Sequence, residues 1–249
     1  MHNFMTRIFT TILILIFRLI TFGQEIRIDT LFLPITVEHN NLQSDKLKFP
    51  IIRTGNLEID KVISTDLKNR FTNNKFTALS TDSAIIKWAD NHVYYLDFEV
   101  TYKKNEFISF NINTEGCRAY CSNWTDYFTY NLATGKYVTI NEIVDTAGKF
   151  KTLVLSDKDK QYEVQKKELR KILLEKDSEL DEATYNWALE HYERCDNEFA
   201  LNSFALHADH LEIIEKCYLP NAIKSFNPEI SLKYKYVDIK EHLKITNLE

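Results

Sequence analysis

Tyr94, Leu96, Phe98, Val100 and Tyr102 put large apolar groups at every second position. Ile108, Phe110 and Ile112 repeat the pattern after the polar break Lys103-Lys104-Asn105-Glu106. A period of two sends alternate side chains to opposite faces of a strand, which a helix does not reproduce. The stretch therefore reads as an antiparallel hairpin with a solvated tip. Two further strand-like runs, 127–132 and 137–140, are joined by Ala133-Thr134-Gly135-Lys136, where Gly135 suits a turn position of positive φ.

Around this centre, strands and helices come in blocks. Residues 25–37 alternate as an edge strand or two, and Phe49-Pro50-Ile51-Ile52 is extended because the residue before a proline avoids helical angles. Asn56 can cap a helix whose stripe is Leu57, Ile59, Val62, Ile63, Leu67 and Phe71, with Asp60, Lys61, Asp66 and Lys68 outside it. Asn141 to Val144 starts a helical stretch. Residues 157–182 are strongly charged around the narrow stripe Leu169, Ile172 and Leu173, which predicts an exposed amphipathic helix with a solvated charged face. Tyr185, Ala188, Leu189 and Tyr192 mark a second helix, preceded by Ser178 and Asp181 at capping-box spacing. Strand-like runs follow at 199–206, 211–218 and 230–236, then a short helix near 240–243. Blocks rather than strict β-α-β alternation predict an α+β fold. Mixed or antiparallel sheets would pack against a few helices in two closely associated subdomains, 24–85 and 86–249.

Residues 1–23 read as a signal peptide. Arg7 gives a positive start, Ile12 to Phe17 begin an apolar run, and Thr21-Phe22-Gly23 predicts cleavage before Gln24. The apolar stretch 8–22 contains Arg18 and is shorter than the ~20 residues of a spanning helix, so no stable membrane span is expected. Export to a periplasmic or extracellular space favours oxidised cysteines. The four cysteines, Cys117, Cys121, Cys195 and Cys217, are then expected as two disulfides, paired locally as Cys117–Cys121 and Cys195–Cys217. A formal charge of −5 argues against nucleic acid as a partner, and five glycines leave little material for a phosphate-cradling loop. Neither a nucleophile elbow nor a zincin helix occurs, so no cofactor is expected and a non-enzymatic role is favoured.

The segment Phe49-Pro50 followed by a helix, the hairpin, the Thr134-Gly135 turn, the charged helices and the strand pair ending Tyr218-Leu219-Pro220 together resemble a known arrangement. They resemble the paired extracellular domains of unknown function of RsiV-type anti-sigma factors, where the pair binds lysozyme. The same pair accompanies the catalytic domain of some peptidoglycan deacetylases. The resemblance covers roughly residues 45–245 and implies a binding module at the cell envelope, with a protein or a cell-wall glycan as partner. Neither a sigma-binding segment ahead of an internal membrane helix nor a deacetylase domain is read in residues 1–249, so those two roles are not expected from the resemblance.

Two sets of residues qualify as a site. Arg118, Tyr120, Trp124 and Tyr127 surround the Cys117–Cys121 loop, and rigid aromatics on a stapled loop suit recognition of a protein or glycan. In the bland alternative Phe128 and Tyr130 are strand core, with Tyr127 alone on the other face. The second set is His207, Asp209 and His210, which could ligate a metal or act as acid and base in an envelope hydrolase, Asp209 orienting one imidazole. Their position at a turn between two strands argues instead for a convex, solvated tip. A zinc set of Cys117, Cys121, His191 and Cys195 competes with the disulfides. A purely structural envelope component would differ from the binding module only in lacking a discrete ligand.

Overall fold

The computed structural model describes residues 26–34, 46–117, 119–175, 178, 180–245 and 248. The expected signal peptide 1–23, Ile35, Val37 and Arg118 lie outside these residues. The described part is an α+β fold with three antiparallel sheets, as the block pattern predicts.

β1 (Arg27–Pro34) pairs with β2 (Lys46–Arg53), setting Leu33 opposite Leu47 and Leu31 opposite Phe49. Asn56 caps α1 (Leu57–Phe71), its side-chain oxygen accepting from the amides of Glu58 and Ile59. Ile63, Leu67 and Phe71 of the expected stripe are buried, whereas Leu57 and Val62 are exposed. Asp60 and Lys68, expected in solvent, are buried too. Each has dedicated partners: Asp60 accepts from the Thr54 amide and hydroxyl, and the Lys68 ammonium donates to the carbonyls of Thr77 and Leu79. Lys68 thereby holds the loop that leads into α2 (Thr81–Ala89), a helix the sequence pattern had not marked.

β3 (Val93–Lys104), β4 (Phe107–Cys117) and β5 (Cys121–Asn131) form the central sheet in that order. The β3–β4 turn uses Asn105 at φ 55°, which asparagine tolerates. β4 is covered on both faces. Ile108, Phe110 and Ile112, with Phe128 and Tyr130 of β5, join α1, α2 and β2 in one hydrophobic cluster. On the other face Ser109 accepts from the Thr129 hydroxyl and from the Leu206 amide, which ties the central sheet to β6. A register shift between Val100 and Tyr102 turns Tyr102 out of the first cluster and into the second.

The predicted fourth strand at 137–140 is reduced to one bridge, Tyr130 to Tyr137. Gly135 does take positive φ (72°), but Thr139 at once forms a capping box with Glu142 and draws the chain into α3 (Ile140–Ile143). α4 (Lys149–Leu174) and α5 (Glu182–Asn197) then pack on the third sheet, β6 (Phe204–Leu206), β7 (His210–Glu215) and β8 (Ile230–Lys235). Asp181 alone caps α5, accepting from the Thr184 amide, while the Ser178 hydroxyl accepts from Leu180 and takes no part in the cap. The charged face of α4 is not wholly solvated either. Lys158 is 5% exposed, contacts the Asp196 carboxylate, donates to the Asp196 carbonyl and lies over the Phe199 ring.

Candidate functional site: a cleft between two sheets and a histidine turn

The central sheet and the third sheet are in contact through β6. Between them lies a cleft of about 610 Å³. Its floor on the central sheet comes from alternate residues of β4 and β5, which point away from the apolar cluster. Asn113 donates to Asn111, and Thr125 donates to Asn113, so a hydrogen-bonded row crosses the strands. Tyr127 continues that face, with the Lys216 ammonium 5.5 Å over its ring and 3.2 Å from Asp126. The opposite wall is β7 and the segments after it: Glu215, Tyr218, Asn227 and Ser231.

Burial dominates the electrostatics here. It raises the phenols of Tyr127 and Tyr218 above their ordinary range, so both remain neutral donors. Burial also raises the Glu215 carboxyl, against the opposing hydrogen bond from Tyr162 and the charge of Lys158. The Tyr162 hydroxyl donates to Glu215 Oε1 at 2.6 Å, whereas Glu215 Oε2 and the hydroxyl of Thr114 are buried without a hydrogen-bond partner among the described residues. Strand alternation sets Thr114 in line with Ile112 and Glu215 in line with Ile213, on the packed faces of their strands.

At the end of the central sheet the Cys117–Cys121 disulfide closes the β4–β5 hairpin across a Cα separation of 3.9 Å. Gly116 precedes it with no room for a side chain: a Cβ there would sit 2.8 Å from the His92 carbonyl oxygen. Beside this tip lies a smaller hollow of about 410 Å³ that Tyr120, Trp124 and Trp88 border. Trp124 meets Trp88 edge-on at 6.2 Å and also borders the main cleft, while Tyr120 is 66% exposed. Trp124 thus stands between Tyr120 on one side and Tyr127 on the other. Phe128 and Tyr130 are buried in the core, on the face opposite Tyr127. The cleft residues Glu215, Tyr218 and Asn113 escaped the sequence reading. The one signal was Tyr218 beside Cys217, which the second disulfide holds to α5.

The Cys195–Cys217 bridge joins the end of α5 to the segment after β7, with Cα atoms 5.6 Å apart. Both bridges consume all four thiols, so the zinc set that includes His191 has no thiolate to offer. His191 instead contacts Arg194 on its own helix. Two disulfides fit an oxidising compartment.

The other predicted set sits on the turn between β6 and β7. His207 and His210 flank the two-residue tip Ala208-Asp209 and are joined by the bond from the His207 amide to the His210 carbonyl. Their imidazoles stack at 4.3 Å with planes 2° apart. The turn is less solvated than its position suggests: the two side chains are 25% and 20% exposed. Asp209 is 74% exposed and accepts from His210 Nδ1 at 2.7 Å. His207 Nε2 donates to Glu212 Oε2 at 2.8 Å, a partner to which the sequence reading gives no role. Burial pushes the Glu212 carboxyl up, but the hydrogen bonds from Ser231 and His207 and the charge of Lys233 together hold it below the usual carboxylate range.

No family model matches this sequence, and no curated protein sequence matches it. Solved structures do match. A crystal structure of a DUF3298 family member from Bacteroides fragilis aligns with a TM-score of 0.56 at 11% identity, covering 90% of this chain and 96% of that one. A DUF3298 family protein from Pseudomonas aeruginosa aligns at 0.50 and 12% identity, covering 90% and 97%. The chain shares its fold with these DUF3298 proteins. No helix among the described residues is long and apolar enough to cross a membrane.

Proposed function

We propose that this chain is an exported, non-enzymatic binding module of the cell envelope, and that it takes part of a protein or a cell-wall glycan in the cleft between its central and third sheets. The carrying observation is the cleft itself. It is concave, bordered by Trp124, Tyr127 and Tyr218, and floored by a row of amide and hydroxyl groups. Flat aromatic faces beside planar polar groups serve both a polypeptide and a sugar ring. The fold shared with DUF3298 proteins and the sequence resemblance to the extracellular domains of RsiV-type anti-sigma factors support this reading. They make lysozyme the first protein probe and soluble peptidoglycan fragments the first glycan probe.

The test is binding of each probe to the disulfide-intact chain, with Trp124→Ala, Tyr120→Ala and Tyr218→Ala compared. Trp124→Ala is expected to weaken the bound probe at least tenfold, as loss of a central aromatic anchor does. An unchanged affinity in all three variants, or no binding of either probe to the parent chain, refutes the assignment.

A further inference from the structure

We infer that His207, His210 and Glu212 form a binding site for a divalent transition cation, zinc in the first instance, separate from the cleft occupancy proposed above. The strand geometry assembles the ligands. His207 and His210 face each other across a two-residue turn, and Glu212 lies two residues beyond His210, on the same side of β7. One ligand atom from each of the three lies within 4.8 Å of the others. Around an ion with bonds of ~2.0–2.2 Å, tetrahedral ligand atoms stand about 3.3 Å apart. His207 Nε2 and Glu212 Oε2 are already at 2.8 Å, so His210 has the larger movement to make.

The surroundings carry the assignment further than proximity alone. Asp209 holds His210 through Nδ1, which leaves Nε2 as the lone-pair nitrogen of a neutral ring. That Nε2 is buried and has no hydrogen-bond partner among the described residues. A carboxylate on the far nitrogen is the arrangement that orients a metal-ligating imidazole and raises its basicity. Glu212 is supported in the same way, with Ser231 donating to Oε1 and Lys233 3.7 Å from it, so Oε2 faces the histidines. Two imidazoles and one carboxylate form a donor set suited to zinc, with a fourth position left for water or a partner's group. Asp209 is therefore a positioning residue, the orienting role the sequence reading gives it, and Glu212 supplies the third ligand. Binding displaces the proton from His207 Nε2, which moves to Nδ1 or to solvent, and the parallel ring stack must open to let both nitrogens converge.

The experiment is a titration of zinc chloride into the chelator-treated, disulfide-intact chain, read by calorimetry and by the imidazole 15N resonances. One zinc per chain is expected, with shifts confined to His207 and His210 and absent at His92, His191 and His242. His210→Ala and Glu212→Gln should abolish the binding, and Asp209→Asn, a change at an exposed carboxylate, should weaken it 10–100-fold. No zinc uptake by the parent chain overturns the inference, as does uptake undiminished in His210→Ala. Should a variant fail to fold, the resonances of the parent chain still decide. Probe binding in the cleft is scored separately, with and without zinc, so either proposal can fail alone.

Discussion

Removing the Cys195–Cys217 bridge should cost markedly more stability than removing Cys117–Cys121. A crosslink acts chiefly by denying conformations to the unfolded chain, and the gain grows with the closed loop. Cys195 and Cys217 are 22 residues apart, which gives about 3 kcal/mol at 25 °C. Cys117 and Cys121 are four apart, which gives about 2 kcal/mol. The native contexts widen the gap. Cys217 is 4% exposed, so replacing it also deletes a packed sulfur, worth ~1 kcal/mol. Cys117 and Cys121 lie opposite each other in a ladder that already pairs Gly116 with Ser122, so the hairpin keeps its turn without the bridge. The Cys195→Ala/Cys217→Ala variant is thus expected to lose about 4 kcal/mol, and Cys117→Ala/Cys121→Ala about 2 kcal/mol. For a chain of this size those losses lower Tm by roughly 8–16 °C and 4–8 °C. Urea unfolding of both double variants beside the parent, at one pH and with oxidation state checked by mass, measures the difference. Equal losses, or a larger loss from the short loop, would refute the argument.

Other perturbations probe the neighbouring elements. Lys158→Met leaves the Asp196 carboxylate without its cation and should destabilise by about 2–3 kcal/mol, below the usual range for fully buried pairs because Asp196 is 26% exposed; urea unfolding showing no loss would mean the pair contributes nothing. Gly116→Ala must displace the His92 backbone and should cost ~1–3 kcal/mol, with a near-neutral urea midpoint counting against the close approach. Glu215 has a raised folded-state pKa, so the folded chain holds this proton more tightly than the unfolded one, and parent stability should fall as pH rises from the ordinary carboxylate value through the folded value. Glu215→Gln keeps an acceptor for Tyr162 and should therefore gain on the parent as pH is raised from 4 to 7; a relative loss over that interval, in unfolding midpoints, would contradict the assignment.

Periodicity made most of the fold legible, and its failures have a common cause. The hairpin, α1 and the strands of the third sheet follow from apolar spacing alone, because in each case one face must leave water. Spacing says nothing about a charged group with dedicated partners. Asp60, Lys68 and Lys158 read as solvated until Thr54, the carbonyls of Thr77 and Leu79, and Asp196 come into place. The run at 137–140 shows the reverse fault: β-type residues overruled by a local cap, since Thr139 and Glu142 satisfy each other within one turn of helix.

The candidate sites divide along the same line. The Cys117–Cys121 aromatics were visible because they are close in sequence, but the cleft they border needs a second wall from β7 and the chain after it, nearly ninety residues away, which no local pattern announces. The histidine turn was visible as composition and as a turn between two strands, and Glu212 was the member given no role. A hairpin tip is convex for the residues that form it, here Ala208 and Asp209. The residues that flank it already belong to the sheet face, and strand alternation aligns His210 with Glu212 rather than with Asp209. Counting by twos from the flanking histidine, instead of taking the nearest acid, picks out Glu212 from the sequence and leaves Asp209 its place behind the ring.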